Sequence, residues 1–333
     1  LVAMGVGALF IVAIGENPID AYAALFRGAF DGELRLGTTL AGFTPLLLTS
    51  IAFAVAAKAG AFNVGVEGEV FLGGITAAYI GINWTFLPKP ALYVACFVGA
   101  MVVAAAWAFI PAVLRAYYNV NEVCTTILMN TVALYITSYL VSGPMSAGTA
   151  NAQSLPVTVR LYQFMKPSSV NVGIFIAAIT VIVIIFMLQK SSWGYKIRTV
   201  GLNPTHADYV GIDSKKVFVG AMMLSGMLGG MAGCIEVLGV HGYFLNNFAT
   251  GLGSNGMLAA LIVKNNMVST PFMAFFLAVL KSGAMGMQQS TGVPKSLVDT
   301  ITAVFIIIAT METAFQFTKK RKKKTEEKKE DKA

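Results

Sequence analysis

Apolar residues run through the chain in long blocks separated by short polar stretches, the pattern a bilayer demands. A hydrocarbon core about 30 Å thick takes roughly 20 apolar residues of helix to cross. The blocks predict helices at about 1–14, 39–57, 62–82, 91–110, 123–142, 170–188, 217–238, 251–264, 271–288 and 297–316. The expectation is an all-α membrane protein of about ten transmembrane helices, some of them broken or re-entrant. Leu1–Ile14 reads as the remainder of a first membrane helix rather than as a signal peptide. From 39 to 82 the apolar run is nearly continuous, and Lys58-Ala59-Gly60 supplies its one plausible turn. The block at 251–264 is short and flanked by glycine, which predicts a re-entrant piece.

The polar stretches set sidedness. Residues 189–216 carry Lys190, Lys196, Arg198, Lys215 and Lys216, and alternation puts Lys58, Arg115 and Lys264 on the same side. The positive-inside rule makes that side cytoplasmic, with both termini on it. Residues 189–216 are then the longest internal connection and 143–169 the longest external one. The net charge of +8 would suit a nucleic-acid binder, but nine of the 24 Lys and Arg crowd into 319–333. That segment reads as a disordered basic cytoplasmic tail able to touch anionic lipid, behind a membrane body at 1–318. Composition agrees: 56% of residues are hydrophobic and 12% charged, against about 25% charged in soluble domains.

Some chemistry is excluded. Cys96, Cys124 and Cys234 lie in apolar stretches without metal-ligand spacing and read as small buried hydrophobes. No phosphate-binding Gly-x-x-x-x-Gly-Lys-Ser/Thr, His-Glu-x-x-His or Gly-x-Ser-x-Gly occurs, so no enzyme, cofactor or metal site is expected.

Three polar motifs remain. Asn203-Pro204-Thr205-His206-Ala207-Asp208-Tyr209-Val210-Gly211 predicts a helix of about two turns, capped by Asn203, opened by Pro204 and closed by a left-handed Gly211. So short a helix is marginal alone, and a partner surface is expected to hold it. A surface helix lying on the membrane is the plainer account. The stretch Gly60-Ala61-Phe62-Asn63-Val64-Gly65-Val66-Glu67-Gly68-Glu69 puts a carboxamide and two carboxyls in or beside a membrane segment. Ionisable groups at that depth usually face a cavity or a partner, although Glu67 is equally suited to capping or pairing at the interface. In Asn121–Asn130, Asn121 is a natural N-cap and Glu122 suits the helix dipole. Thr126 and Asn130 share one face, where they either line a polar path or bond another helix.

Two features concern the bundle itself. Gly226, Gly229, Gly230 and Gly233 give two overlapping Gly-x-x-x-Gly spacings that predict a close helix contact. A faint two-fold pattern, an apolar helix leading through a glycine-rich break into another, joins 40–75 to 217–262. A midplane pathway and the coincidences of a glycine-rich chain both account for it.

Gly60–Glu69 resembles the "G-x-F-N-I-G-x-E-G-Q" signature of permeases in branched-chain amino acid and simple-sugar ABC importers. Asn121–Asn130 resembles the "N-E-V-x-x-T-x-M-L-N" stretch of the nucleoside-uptake branch, and Gly201–Ile212 resembles the family's cytoplasmic loop, "G-x-N-x-x-A-A-x-x-x-G-I". The chain departs at Glu69, where Gln is usual, and at His206, where Ala is usual. The resemblance implies a permease of the bacterial plasma membrane, paired with a second related permease. A cytoplasmic ABC ATPase would bind the ATP, and an extracellular binding lipoprotein would deliver the substrate. It also implies that Asn203, Pro204, His206, Ala207, Asp208 and Gly211 belong to a coupling helix seated on the ATPase. Substrate, most closely a purine nucleoside, would pass near Asn63, Glu67, Thr126 and Asn130. The alternatives are a ribose or galactose permease and an ATPase-independent secondary transporter. The second would want paired intramembrane carboxyls. Glu67 and Glu69, two residues apart, point to different helix faces.

Overall fold

A computed structural model describes residues 2–13 and 15–291, together with Ser296, Asp299, Thr300 and Ala303. Its elements are α1 (Val2–Ala13), α2 (Pro18–Phe30), α3 (Gly32–Lys58), α4 (Val66–Asn83), α5 (Lys89–Tyr118) and α6 (Glu122–Ser142). There follow α7 (Gly173–Lys190), α8 (Ser192–Leu202), α9 (Pro204–Tyr209), α10 (Ser214–Ile235), α11 (Leu252–Ile262) and α12 (Thr270–Thr291). Among the described residues there is no strand, only three isolated bridges that involve the 143–169 connection. The predicted helix at 297–316 and the basic tail at 319–333 lie outside the described residues, apart from Asp299, Thr300 and Ala303.

Six described helices are long and apolar enough to cross a membrane: Gly32–Lys58, Lys89–Tyr118, Glu122–Ser142, Gly173–Lys190, Ser214–His241 and Thr270–Thr291. Three other predicted spans are shorter pieces. Val2–Ala13 has 12 residues, Leu252–Ile262 has 11, and α4 begins only at Val66, after the break that follows Lys58. Two helices lie outside the predicted blocks, α2 and α8, because charged residues interrupt them, Asp20 and Arg27 in α2 and Lys196 and Arg198 in α8; both announce themselves by caps. Asn17 accepts from the Ile19 N–H ahead of Pro18, and Ser191 accepts from the Gly194 N–H.

The chain forms two compact units, Leu1–Asp31 with Leu280–Ala333, and Gly32–Val279. In the first, Ile11, Ala21, Leu25, Ala284 and Met287 make a small core. A Cβ on Gly28 would lie 2.8 Å from the Gly283 carbonyl oxygen, so α2 and α12 meet backbone to backbone. The second is built around α10, which packs on α3, α4 and α5. The overlapping glycine spacing does this work on two sides. A Cβ on Gly230 would come within 2.4 Å of the Ala100 carbonyl oxygen in α5, and one on Gly233 within 2.0 Å of that of Val70 in α4. The predicted close contact is therefore made with two helices at once.

The last turns of this span widen into a π-helical segment, Glu236–His241, whose end pairs the Glu236 carboxyl with His241 at 3.7 Å. The long 143–169 connection zips along it. Leu161 N–H donates to Leu238 O, Val157 N–H to Gly242 O, and Ser154 N–H to Phe244 O. One cysteine departs from expectation: Cys96 and Cys234 are buried, but Cys124 is exposed, because α6 buries only a narrow stripe.

Candidate functional site

The break between α3 and α4 folds around one carboxamide. Asn63 is 1% exposed, and its Oδ1 accepts the Gly65 N–H at 2.9 Å. Its Nδ2 donates to Glu69 Oε1 and to Ser225 Oγ, each at 2.9 Å, tying the break to α4 and α10. Glu69, also 1% exposed, leaves Oε2 without a hydrogen-bond partner, pressed where Gly229 lacks a side chain. Asn130 performs a similar service from α6. Its Nδ2 donates to the Val64 carbonyl and its Oδ1 accepts the Gly68 N–H, clamping both ends of the first turn of α4. Thr126, 1% exposed, donates back to its own helix at Glu122 O, and its methyl sits where a Gly65 side chain would go. Of the four residues expected near a path, three are thus engaged in shaping the break.

Glu67 differs. It is half-buried, and its Oε2 accepts the exposed Ser254 hydroxyl at 3.3 Å. Ser254 lies in the first turn of α11, the short helix expected to be re-entrant. The two helix starts abut: a Cβ on Gly253 would lie 2.6 Å from the Glu67 nitrogen. Both helices therefore turn N-termini, with their partial positive charge, toward the one carboxyl. The meeting point is deep. Leu252 O accepts from Thr49 Oγ1, and Thr49 precedes the end of α3 by nine residues, about 13 Å of helix. In both segments of the faint two-fold pattern a long helix leads through a break into a second helix, of 18 residues in α4 and 11 in α11.

Two other helices expose long apolar faces of the kind a bilayer covers. From Phe175 to Phe186 the side chains exposed on α7 are all apolar (Phe175, Ile179, Ile182, Val183 and Phe186), and those on α5 from Val94 to Ile110 are likewise apolar. The surface of α6 is mixed, with Thr131 exposed among Leu128, Val132, Tyr135 and Tyr139, and the 242–254 segment exposes Asn247, Thr250 and Ser254, with the Ser138–Asn246 hydrogen bond joining the two.

At the Lys58 end of α3 sits the capped helix. A Cβ on Gly201 would meet the Lys58 carbonyl oxygen at 2.0 Å, so α8 is held close under α3. Asn203 Oδ1 accepts the His206 N–H at 3.0 Å, Pro204 opens α9, and Gly211 closes it at φ 81°. Ala207 is buried beneath, while Leu202 and Tyr209 are 88% and 86% exposed. Asp208 takes both the backbone N–H and the hydroxyl of Ser214, each at 3.0 Å, and so locks α9 to the start of α10. His206 is exposed on the outer face.

Sequence reasoning missed Ser225 and Ser254. Ser225 carries no local signal, since its partner is 162 residues away. Ser254 stands inside the glycine-rich break already singled out, where a hydroxyl among glycines was the available clue.

The family model described as branched-chain amino acid transport system, permease component, matches residues 35–310. The guanosine ABC transporter permease protein NupP of Bacillus subtilis is 32% identical, over 97% of this chain and 94% of its own. The nucleoside ABC transporter permease protein NupB of Lactococcus lactis is 31% identical, over 90% and 85%. The glucose ABC transporter permease protein TsgB13 of Haloferax volcanii is 32% identical, over 92% and 84%. No solved structure matches.

Proposed function

Since the chain belongs to the family of branched-chain amino acid transport system permease components, we propose that it is the membrane-spanning subunit of an ATP-binding-cassette importer carrying purine nucleosides across the plasma membrane. A separate ABC ATPase hydrolyses ATP, a second related permease completes the path, and an extracellular binding protein delivers substrate. Two of the relatives named above are permeases for guanosine or nucleosides, which supports the substrate class. The observation that carries the mechanism is the polar break at membrane depth, in the same unit as a rigidly capped surface helix.

In this reading Glu67 faces the path, and Asn63, Thr126 and Asn130 keep the start of α4 in place beside it. Asn203, Pro204 and Gly211 shape α9 as the coupling helix, His206 faces the ATPase, and Ala207 and Asp208 root it in the bundle. A chain of this kind transmits a push on α9 into α10 through the Asp208–Ser214 contacts. From α10 it reaches the Asn63 carboxamide through Ser225. The glucose permease relative supports a second reading, a simple-sugar importer.

Uptake of labelled guanosine in cells expressing the complete operon, with and without this gene, separates the two. Loss of uptake on deletion, with competition by other nucleosides and none by ribose, galactose, glucose or leucine, is the expected result. Uptake unaffected by deletion, or competition by a free sugar, moves the substrate to the second reading.

A further inference from the structure

We propose that the gap between α5 and α7 is a lipid site, which takes one acyl chain of an anionic phospholipid and holds its phosphate at the Lys89 end. The inference is independent of the cargo. α5 packs on α10 and α7 on α3, and between them a groove of about 590 Å³ is left open. Phe97, Val98 and Met101 of α5 form one wall, Ile176 of α7 the other, and Met231 of α10 the floor. Thr180 ties the floor to α7, its hydroxyl donating to Met231 Sδ at 3.5 Å. Tyr93 and Tyr162 are the lining residues that carry a hydroxyl, and that of Tyr93 already donates to the Arg160 carbonyl at 2.6 Å.

A groove this apolar offers a polar molecule nothing in exchange for its water. Its walls run into the faces of α5 and α7 that expose apolar side chains alone, so it opens toward lipid. A further membrane helix is a poor occupant. Helices meet in lipid through Gly, Ala, Ser and Thr, and the lining has none of these four. A single acyl chain has the right length. From Tyr93 to Met101 α5 rises about 12 Å, against about 15 Å of hydrocarbon in one leaflet. Lys89 lies one turn before Tyr93 on the same side of α5 and is exposed, where the phosphate of that lipid would stand. Arg160 is exposed at this end too, with its guanidinium over Gly242. Among the described residues neither cation makes an ion pair, and Glu236, in the helix end that Gly242 closes, pairs with His241 at 3.7 Å. Two such cations favour an anionic headgroup over a zwitterionic one. Tyr162, 72% exposed beside them, is the kind of aromatic that marks a membrane–water boundary.

The full chain, purified with the subunits it retains, is placed in nanodiscs carrying phosphatidylglycerol with a diazirine in one acyl chain. After illumination, adducts are mapped by peptide mass spectrometry. They are expected on Phe97, Met101 and Ile176 in preference to Val102 and Ile179, which are exposed on the same helices outside the groove. Val98→Trp fills the groove from an exposed position and is expected to remove that preference. Lys89→Ala is expected to weaken retention of phosphatidylglycerol about fivefold in native mass spectrometry and to leave phosphatidylcholine unchanged, the share of one basic side chain near a charged headgroup. Both substitutions are at exposed side chains, so the fold is expected to tolerate them. Adducts absent from the groove, or spread evenly over groove and control positions, would overturn the proposal. Equal retention of the two lipids by wild type would overturn it as well.

Discussion

At position 63 one carboxamide serves three partners in a place where water does not. The Gly65 N–H, Glu69 Oε1 and Ser225 Oγ all depend on it. Asn63→Leu leaves each of them without that bond, at about 1–3 kcal/mol per orphaned buried group. The expected outcome is reduced transport together with a lower unfolding midpoint in detergent. Unchanged uptake kinetics would remove Asn63 from the machinery. The neighbouring Glu69 predicts the opposite sign for stability. One of its oxygens is buried without a partner, and an uncompensated buried acid costs more than an amide of the same shape. Glu69→Gln is therefore expected to raise the midpoint and to preserve the Asn63 bond. A fall in the midpoint would show that the carboxyl is itself needed. The sequence located this cluster, because a carboxamide and two carboxyls in an apolar run stand out chemically. It did not distinguish the inward Glu69 from the half-exposed Glu67, since that depends on how α4 is rotated against α10 and α11.

Glycine decides how closely the elements approach. Gly233 in α10 lies against the Val70 carbonyl of α4, and any Cβ there would overlap it. Gly233→Ala should force α4 and α10 apart and cost about 3 kcal/mol or more, seen as loss of folded yield and a lower midpoint. Gly42 in α3 is the control, exposed and with nothing within 4 Å of a built Cβ. Gly42→Ala should stabilise by about 0.5–1 kcal/mol through the entropy of the unfolded chain. If the two substitutions behave alike, close approach is not what the glycines supply. At this scale the overlapping spacing was readable in advance, but the partners were not. A glycine stripe says that something comes near and leaves open whether it is α4, α5 or both.

For the whole molecule, the question is how a surface helix reaches the middle of the bundle. α9 is fastened to α10 by Asp208 and Ser214, and α10 carries Ser225 to the Asn63 cluster. On the proposed function, Gly211→Pro or deletion of 203–211 should abolish ATP-dependent uptake while the protein still inserts and assembles with its partner permease. A proline cannot adopt φ 81°, so the turn that closes α9 is lost. Normal uptake by either variant would remove the coupling role from α9. Tyr209→Glu makes a gentler test, placing a charge on an 86% exposed aromatic without touching the fold. It should weaken co-purification of the ATPase and leave the unfolding midpoint unchanged.

Composition and apolar blocks determined by themselves that this is a helical membrane protein, because burial in lipid is a property of local sequence. Caps determined α9 as well, since Asn203, Pro204 and Gly211 act within a turn of where they stand. The number of crossings was not settled that way. An apolar stretch reads the same whether it spans the bilayer or stops halfway, and α4 and α11 begin where α6, α10 and α3 receive their ends. Nor could the sequence assign Ser225, Ser254 or the rotation of Glu67, each of which depends on a partner far along the chain. Only the tertiary packing sorts such polar groups into those buried to hold a break and those left half-exposed beside it.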